Sequence, residues 1–213
     1  PVKLLVRTRG VWHERGVAWH AGAFTWADRP TDLRPPMEIA GEHDYLTEIH
    51  PQAEAFVRTL GRCLQAGAIF LLDYGYPESE YYHPQRLEGT LMAHHRHHAI
   101  QDPFYLPGLC DLTTHVEWSQ IARSALAENA DDVYLSNQAG YLLDAGIGEI
   151  ALEIGDPSDP ETFLPISNAL QKLLSEAEMG ELFKVFAFSK NLNTVLPGYV
   201  LEDLPGLRGR NRL

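Results

Sequence analysis

The hydrophobic pattern is strongest at Ile69, Phe70, Leu71 and Leu72, an unbroken apolar run inside GAIFLLDYG that ends at Asp73, Tyr74 and Gly75. A run apolar at every position predicts a strand covered on both faces, as in parallel sheets with helices above and below. In such sheets ligands bind beyond the carboxyl ends of the strands, where an acid, an aromatic and a glycine can hydrogen-bond, stack on and closely approach one. The same letters are also accounted for by Asp73 capping a turn and Gly75 supplying a positive φ. Upstream, Phe56, Leu60, Cys63 and Leu64 recur at helical spacing between Pro51 and Gly67, predicting the helix that feeds this strand. Helix, glycine turn and strand form half of a β-α-β unit, so the helix-strand core at 51–75 is expected in a sheet that is at least partly parallel.

Before that core, Val2 to Val6, a turn at Arg7 to Gly10 and the alternating WHERGVAW predict a β-hairpin over 2–26. Ala23 to Trp26 adds a short strand, and the Pro-rich DRPTDLRPP is expected to be irregular. After the core, residues 119–196 predict a helix over Ser119 to Ala127, a strand at Val133 to Leu135 and a helical turn from Ala139 to Asp144. A further helix starts at Asp159-Pro160-Glu161, and LFKVFAF, Leu182 to Phe188, reads as a strand. The tail 197–213 is Pro/Gly-rich and expected to be mobile. Between core and remainder lies 76–118, a long polar and aromatic stretch straight after the strand end. Its density of Tyr, His and Phe argues against disorder, so a helical or loop insertion over the cleft is expected.

Composition narrows the function. With 213 residues, 45% hydrophobic and 22% charged, the chain suits a soluble globular protein with one sizeable core, or one core plus a small appendage. A net charge of -12 argues against nucleic acid, which requires clustered Lys and Arg. Cys63 and Cys110 form no metal-like or redox pair, which fits a reducing cytoplasm. No apolar stretch approaches the ~20 residues of a membrane span. The chain opens PVKLLVRTRG without Met, h-region or cleavage site, so a processed start or part of a longer polypeptide is expected.

His94, His95, His97, His98 and His115, with Asp102 and Asp111, raise a metal site and hence a metal-dependent hydrolase. Consecutive side chains in HHRHH diverge in strand or helix alike, so no metal is expected. Ser79, Ser119 or Ser136 near His115 and Asp111 would make a triad, but none sits in a G-x-S-x-G elbow. Gly146-Ile147-Gly148 follows a helix instead of a strand, which argues against a nucleotide cradle. Glu48, in TEIHP, reads either as a helix-start acid or as a residue facing the cleft.

LLDYG followed by EGTLMAHHRHHAIQDPFYLPGLCDLTTHVEW resembles the MidA family of S-adenosylmethionine-dependent methyltransferases. There a D-Y-G strand end precedes G-T-L, a basic run with His, D-P, P-G and D-L-T-x-H-V. Glu14-Arg15, Glu48, Pro51, Gln138 with Leu143, Gly146-Ile147 and GELFKVFAF extend the likeness over nearly the whole chain. His94, His95 and His98 stand where the family often has Tyr or Arg. The resemblance implies the later strands of a Rossmann-like sheet, with the last strand antiparallel, and methyl transfer from S-adenosylmethionine to an arginine of a protein acceptor; mitochondrial relatives act on a respiratory complex I subunit. Asp73, Glu48 and Asp111 are then candidates to orient the acceptor, and His97 or His115 to relay its proton. Tyr74, Gly75, Gly89, Asp102, Gly108, Thr113 and Gln138 occupy further motif positions in the cleft.

Family members carry, ahead of this region, a glycine-rich turn holding the cofactor and an N-E-x-L-D-A-x-P-V segment, of which Pro1-Val2 resembles the end. The resemblance therefore implies a carboxyl-terminal half (1–196 plus tail) whose cofactor-binding half is missing and which needs that half or a partner chain. A non-catalytic protein-binding module is the reading from another class.

Overall fold

The computed structural model describes residues 1–213. In chain order its elements are β1 (Lys3–Thr8), β2 (Val11–His20), β3 (Ala23–Pro30), β4 (Tyr45–Ile49), α1 (Pro51–Cys63), β5 (Gly67–Tyr76), α2 (Glu78–Tyr81), β6 (Met92–His95), β7 (His98–Ile100), β8 (Asp111–Thr113) and β9 (Val116–Glu117). There follow α3 (Trp118–Leu126), β10 (Asp132–Asn137), α4 (Gln138–Asp144), α5 (Ile147–Ile154), α6 (Pro160–Leu174), α7 (Met179–Leu182), β11 (Phe183–Lys190), α8 (Leu192–Val195) and a 3-10 turn at Leu201–Asp203. The architecture is mixed α/β with several sheets and divides into two compact units, residues 1–54 with 76–117 and residues 55–75 with 118–213. No helix is long and apolar enough to cross a membrane.

The first unit is built on an antiparallel sheet of order β3-β2-β1-β4. β1, β2 and β3 are joined by two-residue turns, Arg9-Gly10 and Ala21-Gly22, with positive φ at both residues of each. That conformation matches the natural twist of a hairpin and sets the register. The expected hairpin is therefore part of a longer meander, and β3 continues through Asp28, Arg29 and Pro30 into the stretch expected to be irregular. Cross-strand pairs extend it: Arg15 donates to both carboxylate oxygens of Asp28 at 2.8 Å, and Arg29 to Glu14 at 2.8 Å. Pro30 closes an edge strand, where proline is tolerated.

The insertion is also sheet, not the expected helix or loop: β7-β6-β8 are antiparallel, and α2 is one helical turn. HHRHH is a hairpin. Arg96 and His97 form its two-residue turn at φ 49° and 66°, and His95 pairs with His98. The turn carries neither Gly nor Asn, the usual signal for such a conformation, so the hairpin was hidden in the sequence.

In the second unit β11 lies between β10 and β5, antiparallel to both. The antiparallel last strand agrees with the resemblance; no hydrogen-bonded pair among these three is parallel, because β11 separates the two strands that run the same way. Val185, Phe186, Ala187 and Phe188 have no exposed surface. The strand covered on both faces is thus β11 and not β5, whose Leu72 is 58% exposed. On α1 the inward positions are Val57 and Gly61, while Phe56 is 57% exposed and Cys63 exposed, which corrects the expected apolar face. The small Gly61 decides this, since a Cβ there would meet Glu128 at 2.9 Å and the close approach exists only without one.

The tail expected to be mobile is docked. Leu201 and Leu207 are 1% and 0% exposed against Tyr134 and Ala187. Asn211 accepts from the Leu135 N–H and donates to the Val133 carbonyl, and the Arg212 N–H donates to Leu135. Two buried leucines and an added edge on β10 outweigh the flexibility of the Pro/Gly letters. Leu207→Ala is accordingly expected to lower the unfolding free energy by about 2–5 kcal/mol in urea titration, whereas a mobile tail would leave it within about 0.5 kcal/mol.

Candidate functional site

In the first unit, β4 and the segment after α2 bring the chemistry-bearing residues together. Leu46 accepts no other strand on its outer edge; instead its N–H donates to the Leu87 carbonyl at 2.8 Å, which lays residues 87–91 alongside β4. This aligns Gly89, Thr90 and Leu91 with Glu48, whose side chain is fully buried. The N–H groups of Thr90 and Leu91 donate to its Oε1 at 2.9 and 3.0 Å. The hydroxyls of Tyr81 and Thr90 donate to its Oε2 at 2.8 and 3.1 Å. Four donors on two oxygens match what a buried carboxylate requires. Gly89 is obligatory here: its φ is +67°, and a Cβ would lie 2.5 Å from Glu48 Oε1.

A second layer holds the donors. His50 Nε2 lies 3.0 Å from the Tyr81 hydroxyl. Because that hydroxyl gives its proton to Glu48, His50 is the donor, which sets the imidazole as the Nε2–H tautomer. Burial, with a smaller contribution from the positive amino terminus, pushes its pKa from 6.5 down to about 4. Burial first, then the Glu48 charge, pushes the Tyr81 phenol well above its ordinary range. Tyr82 donates to the Glu48 carbonyl at 3.1 Å. On the far side the His115 N–H donates to Thr90 Oγ1 at 3.0 Å, and the His115 ring stacks on Tyr76 at 5.0 Å and 7°. The guanidinium of Arg86 also lies over Tyr76, 4.2 Å from the ring centre.

Residues 1–134 match the model of a protein family described as "Putative S-adenosyl-L-methionine-dependent methyltransferase". The chain belongs to this methyltransferase family. Among solved structures it is similar to an uncharacterized COG1565 superfamily protein from Burkholderia thailandensis, at 50% identity and TM-score 0.85, covering 90% of this chain and 52% of that one. It is also similar to a member of the same superfamily and organism bound to S-adenosyl-homocysteine, at 48% identity and TM-score 0.84, covering 96% of this chain and 55% of that one. The chain thus spans about half the length of these relatives. No curated protein matches it.

Within this chain the sequence candidates fall into separate places. Glu48 and Gly89 meet at the buried carboxylate, and His115 joins through Thr90, whose Oγ1 accepts from its N–H. Glu48 lies on a strand, so the helix-start reading is replaced: its oxygens face the loop at 89–91 and not the amino end of α1. Asp111 and Thr113 lie on β8 opposite His94 and Met92, and Thr113 Oγ1 is 3.3 Å from His94 Nδ1. His97 is exposed at the hairpin turn. Asp102 accepts from the Phe104 N–H at 2.9 Å and shapes the following turn, and Gly108, at φ +83°, lies in the wall of an apolar cavity. In the second unit, Asp73 lies within β5 opposite Lys184 and its Oδ1 accepts from the Tyr74 N–H at 2.8 Å; the turn that Asp73 and Gly75 would form is not there, since the strand runs on to Tyr76 and Gly75 has no positive φ, and partial desolvation raises the Asp73 carboxyl pKa above 3.8. Tyr74 meets Phe183 edge-on at 5.5 Å, Gly75 is buried, and Gln138 Nε2 donates to the Leu173 carbonyl at 3.0 Å. Gln138 is a helix-to-helix tie.

The histidines point apart. His94 faces Thr113, His95 the Leu109 carbonyl and His98 the Arg96 carbonyl, and no group of three His, Cys, Asp or Glu side chains is placed to hold a metal ion. His50, Tyr81 and Tyr82 were missed from the sequence. The signal available was the alternation of YLTEIH, which puts Leu46, Glu48 and His50 on one side.

Two outcomes follow for the buried cluster. Glu48→Gln places an NH2 against donors and is expected to cost about 3–5 kcal/mol in chemical unfolding, as loss of a buried charge partner does. His50 has a folded pKa below its unfolded value, so the unfolded chain takes up the proton first. Stability is full above pH 6.5 and falls as pH drops toward 4, by up to about 3 kcal/mol. Unfolding of wild type and His50→Gln across that window should show the fall in the former and its loss in the latter.

Proposed function

We propose that this chain serves a MidA-type methyltransferase that transfers the methyl group of S-adenosylmethionine to an arginine of a basic protein acceptor, completed by a cofactor-binding half outside residues 1–213. The observation that carries this reading is the 48% identity, over 96% of this chain, to a relative bound to S-adenosyl-homocysteine. The net charge of -12 favours a basic acceptor. No residue here is assigned to hold the cofactor: Gly146-Ile147-Gly148 joins α4 to α5, with Gly146 in the left-handed region, and is not the strand-to-helix turn that cradles a nucleotide. S-adenosylmethionine, when bound, supplies the methyl group.

The chain's own part is to orient the guanidinium and take its proton. A guanidinium nitrogen that gains a methyl group must release a proton. Glu48 is a poor acceptor for it because Thr90, Leu91 and Tyr81 already occupy its oxygens. In this reading Glu48 is a positioning residue that shapes the 89–91 loop. Asp73 is the proton acceptor, an exposed carboxyl with one oxygen held by the Tyr74 N–H.

The test is radiolabelled methyl transfer by the complete enzyme to an arginine-rich protein. Asp73→Asn is expected to abolish transfer without lowering the thermal midpoint. The midpoint holds because the side chain is exposed and a neutral Asn still accepts from the Tyr74 N–H. Wild-type activity retained per folded molecule would sink the assignment. A second readout concerns the division of labour: calorimetric titration of residues 1–213 alone should show no saturable S-adenosylmethionine binding below about 1 mM. Micromolar saturation would place a self-sufficient cofactor site in this chain.

A further inference from the structure

The first unit holds an apolar cavity of about 430 Å³ that plays no part in the reading above. Phe24 and Trp26 of β3, Val17 of β2, Leu4 of β1, Leu91 and the Pro103-to-Leu112 segment form its walls. The volume lies in the range of small-molecule sites, which are concave and chiefly apolar. Its walls are held in place from outside. The Leu91 N–H is anchored on Glu48, Cys110 Sγ donates to the Tyr105 carbonyl at 3.1 Å, and Phe104 packs on Trp26 at 4.7 Å and on Phe24 at 6.3 Å. A wall fixed before a ligand arrives need not be ordered by it.

Its charged lining residues are matched among themselves. Glu14 is bridged by Lys3 at 3.2 Å and Arg29 at 2.8 Å, and Arg15 is paired with both oxygens of Asp28 while lying 5.6 Å from the Trp26 ring centre. A charged guest would leave water for a place whose charges are already paired, which is costly. A guanidinium, in particular, finds no open carboxylate, so this is not where a methyl-accepting arginine would sit. Three ring systems in the wall present edges and faces that suit another ring.

We infer that this cavity is a binding site for a neutral aromatic ring, carried by a small molecule or by a peptide side chain. The assignment stands apart from the methyl-transfer reading. Calorimetric titration with indole tests it. Saturable binding with Kd at or below about 1 mM is expected, in line with the affinity available to so few atoms. Charged tryptamine and indole-3-acetate should bind at least about tenfold more weakly, as desolvating an unpaired charge demands. Parallel titration with N-acetyl-tryptophanamide separates the sources: binding equal to indole points to a peptide side chain, and its absence to a small molecule. Location is read in Cys63→Ser protein, where indole should slow alkylation of Cys110, and in Val17→Glu, a change at a 55% exposed wall position that folding tolerates, which should weaken binding at least about tenfold. No saturation by either neutral ring, equal binding of the charged analogues, or indole binding untouched by Val17→Glu would overturn the inference.

Discussion

A single carboxylate, Glu48, organises the first unit. With no exposed surface it can exist only where donors surround it, and the chain supplies them from two directions, Thr90 and Leu91 from the loop and Tyr81 from α2, with His50 in turn bonded to Tyr81. The need for those donors dictates much of the local backbone. Gly89 must take a positive φ and lack a Cβ, and residues 87–91 must run beside β4. From Thr90 the order passes to His115 and its stack on Tyr76, and from Leu91 to the wall of the aromatic cavity. An ionic group placed at the centre of a unit is thus a device for specifying one loop conformation, since any other leaves the charge without partners.

In the second unit the corresponding role belongs to β11, buried on both faces between strands that run opposite to it. Its inward aromatics do the packing, with Phe186 stacked on Trp118 at 5.6 Å and 22° and Phe188 beside Phe186 at 6.1 Å. Even its polar members are absorbed: Lys184 is 3% exposed and sits 3.3 Å from Glu181. A strand that must bury charged and aromatic side chains alike leaves little latitude in register. That register places Asp73 opposite Lys184 and holds the end of β5 where the functional reading needs it.

The two units are built by different physics. One is organised by buried polar satisfaction and short hairpins; the other is organised by an aromatic core around β11. This is consistent with a family whose chemistry is a methyl transfer, in which geometry and proton acceptance matter more than a reactive nucleophile.

Much of this was legible in the letters. Apolar runs located β5 and β11, Asp159-Pro160 located the start of α6, whose first turn Asp159 caps by accepting from Glu161, and the ordered motif from LLDYG to THVEW pointed to S-adenosylmethionine-dependent methyltransferases, the class of the matching family. Glu48, Gly89 and His115 were singled out as motif positions, but their meeting was not, because Gly89 and Glu48 are joined only when a loop is laid beside a strand. Helical spacing on α1 pointed to Phe56, yet tertiary packing chose Gly61, since closeness to Glu128 requires the absence of a side chain. The Pro/Gly-rich tail suggested mobility, and two buried leucines decided otherwise. Local propensity and period are properties of neighbours in sequence, so a single chain can display them unaided. Which face is covered, which acid is saturated with donors and which aromatic rings close on a cavity depend on contacts between distant residues, and those only the folded structure determined.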